Sequence, residues 1–455
     1  MNRHLLAGRY GAGDTATIPQ ATDEILTPLP LVSGNKTLNF GLQTAIRDLE
    51  KLCVYPSEIG IDLLIVAAHV YAADTRIARK TESQDGWTRE IRLVVPVKDV
   101  ELWNSAAWLL SDMLNFLTGD KWTVGFRPRP KGFQKIAPKN LSDLLGTKYD
   151  GVSLFSGGLD SLIGAIDSLE NEENVLLVSH AAEGAVSDAQ NTIFAALNGE
   201  YGENEFDRLR FWFNIPKNQF QGLDSEDSTR GRSFLFFSLG VFAGSGLGQH
   251  FTLKVPENGL IALNVPLDPL RLGSNSTRTT HPYYMARWND LISALGIDGQ
   301  IVNPYWNKTK GEMIAACSNR DFLESVLPLS MSCSSPTKGR WQGKGVEHCG
   351  YCLPCLIRRA SIESALGKGN DPTPYTLDLK SGNILSTSSA EGKQVRSFQL
   401  AIKRLRSRPG LAKLLVHKSG SLSDETRHLD ELAGVYARGM EEVAGILSGV
   451  KTRSN

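Results

Sequence analysis

The sequence predicts an α/β protein built around a parallel sheet, and three observations carry this prediction. From about residue 150, short apolar strands alternate with helices, which is the pattern of a parallel sheet covered on both faces. A Ser-Gly-Gly-Leu-Asp-Ser turn joins the first of these strands to its helix. Four of the six cysteines fall within 23 residues, in a spacing typical of a metal site.

The chain of 455 residues is too long for one ordinary core, and we divide it into three segments. Residues 1–145 are predicted to form an α+β domain without a chemical motif, ending in a linker rich in proline and lysine. Within it, "DLLIVAAHVYAADTRIA" is expected to be a strand, or a strand running into a helix. Residues 146–370 form the α/β domain, and residues 371–455 form a mainly helical extension.

In the α/β domain the periodicity places the elements in order along the chain. Strands are predicted at "GVSLF", "NVLLVSH" and "RLRFWFN", and helices at "DSLIGAIDSLE", "DAQNTIFAALNG" and "SFLFFSLGVFAGSGLG". Gly199 is expected to end the second of these helices. Ligands of parallel sheets bind at the carboxyl ends of the strands, so functional residues are expected directly after each strand.

Charge and hydropathy exclude several classes of protein. Lys and Arg number 49, as do Asp and Glu, so we do not expect a basic nucleic-acid-binding surface. The first residues lack the apolar run of a signal peptide, and the most apolar window is too short to span a bilayer. We expect a cytoplasmic protein that binds neither membrane nor nucleic acid.

The turn Ser156–Ser161 has the composition of a phosphate-binding loop. Its glycines permit positive φ and a close backbone approach, while successive N–H groups and a helix N-terminus attract an anion. The lysine of a Walker A loop and the G-x-G-x-x-G pattern are both missing. Asp160 would repel phosphate unless a cation lay between them, so we expect Mg²⁺ there. The alternative is that Asp160 and the serines only cap the helix.

The cysteine cluster has the spacing C-x15-C-x2-C-x2-C, formed by Cys333, Cys349, Cys352 and Cys355. Four thiolates at such spacing suit tetrahedral Zn²⁺, and a complete set of four ligands is typical of a structural site. A [4Fe–4S] cluster and redox dithiols are the competing interpretations.

The loop resembles the pyrophosphate-binding loop of the N-type ATP pyrophosphatases. With the downstream cysteines, residues 148–368 resemble the 7-cyano-7-deazaguanine synthase (QueC-like) family. The resemblance implies an adenine nucleotide α-hydrolase-like core that cleaves ATP to AMP and pyrophosphate. "STRGRSFLFFSLG" resembles that family's Gly-Arg-Asn segment and places Arg232 at its arginine, whereas "NPYWNKTKGEMI" places Lys310 near the phosphates.

Three groups of site residues follow. The resemblance implies ATP binding by Ser156, Gly157, Gly158, Leu159, Asp160, Ser161, Ser179 and His180, and catalysis by Asp160, Arg232 and Lys310. Candidate substrate-binding residues are Glu257, Asn258, Arg278, Thr279 and His281. Glu257 and Asn258 have the chemistry to recognise a guanine-like edge, although Asn-Gly is equally a turn signal. Arg278 and His281 belong to the donor-rich stretch Ser276–Pro282, which suits a carboxylate or is simply a polar loop.

The chain also departs from the family. Ser233 stands where the family has asparagine, a Tyr-Pro-Asp-Cys-Arg stretch is absent, and the family's enzymes are about half as long. The flanking segments carry no catalytic motif, which favours partner binding. In this respect the chain is most similar to QueC-like proteins of Qat-type anti-phage defence operons.

We therefore expect an ATP-dependent C–N ligase that adenylylates the carboxylate of 7-carboxy-7-deazaguanine. The nitrogen acceptor is expected to be an amine of a partner protein encoded in the same operon. Three alternatives remain open: a 7-cyano-7-deazaguanine synthase that uses ammonia, a tRNA-modifying pyrophosphatase-loop enzyme, and a non-catalytic nucleotide-binding assembly subunit.

Overall fold

Two parallel sheets and a helical C-terminal segment organise the chain. The computed structural model describes residues 3–34, 37–83, 85–139, 147–181, 184–202, 205–267, 278–343 and 345–453. The predicted boundary between the first two segments, at residues 145 and 146, lies outside the described residues, as do Ser276 and Thr277 of the donor-rich stretch.

The N-terminal segment forms a four-stranded sheet in the order β2-β1-β3-β4, parallel throughout. Its strands are β1 (Arg3–Arg9), β2 (Glu24–Pro30), β3 (Glu90–Val97) and β4 (Lys121–Pro128). The helices are α1 (Leu42–Lys51), α2 (Glu58–Arg76), α3 (Arg79–Glu82), α4 (Val100–Ser105) and α5 (Ala107–Thr118). Helices therefore alternate with parallel strands, and this segment is α/β rather than the predicted α+β.

The strand predicted in "DLLIVAAHVYAADTRIA" is wrong, because this stretch belongs to α2. The side chain of Ser57 caps the helix by accepting a hydrogen bond from the N–H of Gly60, at 3.0 Å. Helix α2 lies between the N-terminal sheet and the helix that follows β7, so it is buried on nearly all sides. A helix buried all round has no polar face and therefore no 3.6-residue period to recognise.

The second sheet has five parallel strands in the order β7-β6-β5-β8-β9. They are β5 (Gly151–Leu154), β6 (Val175–Ala181), β7 (Asp207–Trp212), β8 (Phe251–Lys254) and β9 (Gly299–Val302), so the three predicted strands are confirmed. The strand order reverses between β5 and β8. In open α/β sheets the crevice outside the carboxyl ends at such a reversal is where ligands bind.

Helices flank this sheet and complete the domain. They are α6 (Leu159–Glu170), α7 (Gly184–Tyr201), α8 (Arg232–Gly244), α9 (Gly259–Leu263), α10 (Pro282–Ala294), α11 (Lys310–Ala315), α12 (Arg320–Val326) and α13 (Leu353–Leu366). Helix α7 continues past Gly199, the predicted end, to Tyr201. The following Gly202 has φ +98°, so the left-handed residue that ends the helix is three positions later.

The C-terminal segment is mainly helical, as predicted. It contains α14 (Ala390–Ser407), α15 (Leu411–Leu415), α16 (Leu429–Leu447) and a short parallel pair, β10 (Leu385–Ser386) and β11 (Thr452–Arg453). Short 3₁₀ helices occur at Leu327–Leu329, Pro336–Gln342, Val416–Lys418 and Ser423–His428. Among the residues described, no helix combines the length and apolar character needed to cross a membrane.

One hydrophobic core is shared by the first two segments. Trp103 and Leu114 of the N-terminal segment belong to the same buried cluster as Phe234, Phe237 and Trp288 of the second. The two sheets are thus joined by packed apolar side chains as well as by the chain itself.

A buried charge network also lies at this junction. Asp74 and Asp120 have no exposed side-chain surface, and both pair with Arg79 and Arg89. Arg89 approaches Asp120 to 2.6 Å and Asp74 to 3.1 Å. Charges removed from water are tolerated only when they are paired and hydrogen-bonded, so these four residues depend on one another.

We predict that Arg89→Ala lowers the free energy of unfolding by about 3 kcal/mol, because two buried carboxylates lose a partner. Arg406→Ala is the matched control, since Arg406 has a 59% exposed side chain and pairs with Glu441 at the surface. It should cost less than about 1 kcal/mol. Urea denaturation followed by tryptophan fluorescence measures both, and equal losses would contradict a network that stabilises through burial.

Candidate nucleotide site and metal centre

The loop Ser156–Ser161 lies at the carboxyl end of β5, at the reversal of strand order. Gly157 has φ +81°, and a Cβ built there would lie 2.9 Å from Cγ of Gln190. The N–H of Gly158 donates to Oγ of Ser156 at 3.3 Å, and Oγ of Ser161 donates to the carbonyl of Gly158 at 2.9 Å. The glycines and serines therefore hold a tight turn that presents the start of α6 to the crevice.

Gln190, which the sequence did not indicate, connects this loop to the neighbouring strand. Its side-chain amide donates to the carbonyls of Ser156, at 3.2 Å, and His180, at 3.3 Å. Oγ of Ser179 donates to the carbonyl of Phe155 at 2.7 Å. The ends of β5 and β6 are thus held together by side chains. A glutamine within α7 carries no motif, so only its place in the fold reveals this role.

Asp160 is the centre of the site. Its Oδ1 lies 2.9 Å from Nζ of Lys310, and its Oδ2 accepts from the backbone N–H and side-chain amide of Asn258, at 3.2 and 2.8 Å. Asp160, Lys310 and Asn258 are exposed by 7%, 3% and 0%. Three residues predicted from separate parts of the sequence therefore form one buried cluster.

The cation that Asp160 requires beside a phosphate is, in this structure, the Lys310 ammonium. A carboxylate offers about four acceptor positions; Asn258 occupies two of them at Oδ2, whereas Oδ1 lies 2.9 Å from Nζ of Lys310 without accepting a hydrogen bond. A carboxylate oxygen of Asp160 could therefore also coordinate Mg²⁺.

Both the NH₂ group and the oxygen of the Asn258 side chain make structural hydrogen bonds. Besides bonding Asp160, it caps α9 by accepting a hydrogen bond from the N–H of Ile261 at 3.1 Å. Both the turn and the contact with the loop are therefore explained without a ligand.

Glu257 lies beside this cluster and is half-buried. Thr280 donates to its Oε2 at 2.5 Å, and the side-chain amide of Asn303 donates to its backbone carbonyl at 2.8 Å. Burial raises the pKa of Glu257 to about 7; the Thr280 hydrogen bond and the Lys310 charge oppose the rise, whereas the Asp160 charge adds to it. Glu257 can therefore accept or donate a proton near neutral pH.

Arg232 begins α8, with its guanidinium 5.1 Å from the centre of the Phe236 ring. The Phe236 ring also lies 5.5 Å from the His180 ring at the end of β6. Burial, and to a smaller extent the Arg232 charge, lowers the pKa of His180 to about 3. The His180 ring is surrounded by the aromatic side chains of Tyr71, Phe211 and Phe236. The neutral imidazole is thus a core residue, and only its backbone faces the loop.

The other predicted substrate residues, Arg278, Thr279 and His281, either make different contacts or are half-buried. Arg278 donates to the carbonyl of Phe116 at 2.8 Å and stacks on its ring. His281 caps α10 by accepting from the N–H of Tyr283 at 3.2 Å, and burial lowers its pKa to about 3. Thr279 is half-buried. Arg278 and His281 thus join the N-terminal segment to α10, and substrate binding by them and by Thr279 stays a prediction.

The four cysteines converge in the structure. All their sulfur atoms lie within 4.8 Å of one another, with Cys333–Cys352 at 4.0 Å and Cys349–Cys355 at 3.9 Å. Tetrahedral Zn–S bonds of about 2.3 Å place sulfurs about 3.8 Å apart. Backbone N–H groups of Cys349 and Cys352 point at sulfurs, at 3.3 Å each. The cluster can hold a metal ion such as zinc.

The segment that leads into Cys333 contacts the loop. The N–H of Met331 donates to the carbonyl of Gly157 at 2.8 Å, and the hydroxyl of Ser332 accepts from the N–H of Leu159 at 3.3 Å. Nε2 of His348 accepts from the N–H of Ser332 at 3.1 Å. Because Ser332 precedes Cys333 and His348 precedes Cys349, metal binding and loop position are linked through two residues.

Comparisons with known proteins assign no family. No protein-family model matches the chain, and no curated protein matches it in sequence. The features that bear on function are the loop, the buried cluster around Asp160 and the four-cysteine cluster.

We predict that Gly157→Ala destabilises the protein by about 1–2 kcal/mol and impairs the site, because alanine would need positive φ and would contact Gln190. Gly199→Ala is the control. Gly199 lies within α7, has open space around its Cα and needs no positive φ, so alanine should stabilise by about 0.5–1 kcal/mol. Thermal unfolding of both variants tests this, and a Gly157→Ala variant as stable as wild type would contradict the strained turn.

We predict about one zinc ion per chain, lost in Cys355→Ser because one of four ligands is removed. Cys53→Ser, at an exposed cysteine outside the cluster, should retain full zinc content. Elemental analysis of the purified proteins measures both. Iron with acid-labile sulfide in place of zinc would favour the iron–sulfur interpretation.

Proposed function

We propose that this protein activates a carboxylate with ATP, releasing pyrophosphate, and transfers the acyl group from AMP to a nitrogen nucleophile. The observation that carries this proposal is the glycine loop at the reversal of strand order, with the buried Asp160–Lys310 pair at its helix start. A buried carboxylate beside a polyanion is costly unless a cation accompanies the anion, which favours a metal–nucleotide complex over a simple phosphate site.

In the first step, the activation of the carboxylate by ATP, different residues bind the nucleotide and stabilise the leaving group. The N–H groups of the Ser156–Ser161 turn and the start of α6 bind the pyrophosphate portion of ATP. A substrate carboxylate oxygen attacks the α-phosphorus, and the bond from that phosphorus to the bridging oxygen of the β-phosphate breaks. Lys310 and Arg232 stabilise the charge that develops on the departing pyrophosphate. Mg²⁺ held by Asp160 would neutralise further phosphate charge.

In the second step a nitrogen nucleophile attacks the acyl carbon, AMP leaves with the electron pair of the broken C–O bond, and the nitrogen loses a proton. The product is an amide. The position of Glu257, directly before Asn258 of the Asp160 cluster, supports a role in binding an amino-pyrimidinone edge, whose adjacent N–H groups suit a carboxylate.

The resemblance to QueC-like proteins indicates the substrate class, a 7-deazaguanine carboxylate, and a defence role with a protein amine as acceptor. The activation residues are retained while the substrate segments differ from the family, which supports a changed acceptor rather than changed ATP chemistry. The four-cysteine set leaves no cysteine of the cluster for a reactive role if metal is bound. This disfavours the tRNA-modifying alternative, which calls for an exposed reactive cysteine; the exposed Cys53 belongs to the N-terminal segment, just after α1.

We predict that 7-carboxy-7-deazaguanine stimulates release of AMP and pyrophosphate from ATP. Asp160→Ala should reduce the rate at least about a hundredfold, because the charge arrangement of the loop is lost. Asp298→Ala, at a surface aspartate whose side chain is 77% exposed, is the control and should keep the wild-type rate. Quantitative chromatography of nucleotides measures the release.

The same reactions distinguish the possible acceptors. With the partner protein present, the proposal expects the partner to gain the mass of the acyl group. A free amide or nitrile made from ammonia would favour the synthase alternative. Binding of ATP without release of AMP, with every acid and partner tested, would refute the enzyme and favour the assembly subunit.

A further inference from the structure

Both flanking segments reach the site through one carboxylate each, a half-buried one on the C-terminal side and a fully buried one on the N-terminal side. We propose that Glu442 of the C-terminal segment and Asp74 of the N-terminal segment position Lys310 and Arg232, so that the flanks are working parts of the nucleotide site. The inference rests on the proposed function for the role of the two cations. The contacts that carry it stand independently of that function.

Glu442 lies on α16 and contacts the residues on both sides of Lys310, the side chain of Thr309 and the backbone of Gly311. It accepts hydrogen bonds from the hydroxyl of Thr309 and from the N–H of Gly311. A Cβ built at Gly311 would lie 2.5 Å from Oε1 of Glu442, so glycine is what allows this close approach. Lys310, between these two contacts, directs its ammonium to Asp160 at 2.9 Å.

Glu442 also bonds the helix that carries the metal ligands. The hydroxyl of Ser361 donates to its Oε2 at 2.9 Å. Ser361 belongs to α13, which begins directly after Cys352 and contains Cys355 in its first turn. One carboxylate of the C-terminal segment therefore connects the Lys310 segment to the metal centre, and burial raises its pKa.

Asp74 has the corresponding place on the other side. Its Oδ2 accepts from the N–H of Gly231 at 2.7 Å, directly before Arg232 begins α8. The nearby Arg79 extends the contact, since its guanidinium donates to Oγ of Ser228 at 2.8 Å and its N–H donates to Glu226 at 2.7 Å. The turn before Arg232 is thus held by the charge network of the N-terminal segment.

The two flanking segments contact the site in the same way. Each cation of the proposed reaction follows a residue held by a flanking segment: Gly231 by Asp74, and Thr309 by Glu442. Backbone displacements of about 1 Å are enough to weaken a preorganised charge. The flanks therefore set the geometry of the site even though they carry no catalytic motif.

Amide hydrogen exchange on the full-length protein tests the contacts without nucleotide. Glu442→Ala should speed exchange at Gly311 about tenfold, because a hydrogen bond to a carboxylate is lost. Glu441→Ala is the matched control, since Glu441 lies beside it on α16 and pairs with Arg406 at the surface. Unchanged protection at Gly311 in a folded Glu442→Ala protein would overturn the proposal for the C-terminal side.

The N-terminal side is tested in the same way. Asp74→Asn should speed exchange at Gly231 by a similar factor, and Glu90→Gln, at a surface pair with Lys121, should not. If Asp74→Asn fails to fold, Glu226→Gln weakens the same turn from a half-buried position and should speed exchange between residues 228 and 231. Unchanged exchange there in the folded variant would overturn this half.

A double-mutant cycle links the contacts to the nucleotide. Glu442→Ala should weaken binding of Mg·ATP about tenfold by calorimetry, and adding it to Lys310→Ala should have little further effect, because it acts through that lysine. Additive losses would contradict positioning. If the wild-type protein binds no ATP, the proposed function fails, whereas hydrogen exchange still decides whether the flanks hold the two backbone segments.

Discussion

The buried pair of Asp160 and Lys310 is the interaction on which the rest of the site depends. Removing a carboxylate and an ammonium from water costs several kcal/mol for each ion, and only close, fully bonded pairing offsets that cost. Asp160 has the Lys310 ammonium 2.9 Å from Oδ1 and two hydrogen bonds from Asn258 at Oδ2, while Oδ1 itself accepts no hydrogen bond. Since the three residues lie on separate segments, the start of α6, the turn after β8 and the start of α11 are fixed together.

The metal centre adds a second constraint on the same loop. Four sulfurs held this close repel one another as thiolates unless a cation binds them, so metal affinity and local folding are coupled. The residues just before Cys333 and Cys349 carry that coupling to Gly157 and Leu159 through backbone hydrogen bonds. The loop is therefore set from both sides, by the ion pair and by the metal-binding segment.

Local features were predictable from the sequence, and long-range contacts were not. The strands β5, β6 and β7, the glycine turn and the convergence of Cys333 with Cys349 follow from short patterns of residue type. The strand prediction for α2 is wrong because burial on all sides removes the helical period of its apolar residues.

Gln190 and Glu442 look like ordinary polar residues of helices, and only the fold brings them against Ser156 and Thr309. Arg278 and His281 have suitable chemistry, but Nη1 of Arg278 bonds Phe116 and Nδ1 of His281 caps α10.

The charge balance of the site has a consequence for what it can bind. Asp160 and Lys310 neutralise each other, and the N–H groups of Gly158 and Leu159 donate to serine hydroxyls, so an anion at the loop would depend on the start of α6 and, in the proposed reaction, on Arg232. Such a site compensates only part of the charge of a triphosphate, and the remainder has to be neutralised by a cation that arrives with the nucleotide. In the proposed reaction, the pairing that stabilises the fold therefore also makes the site selective for a metal–nucleotide complex over the free nucleotide.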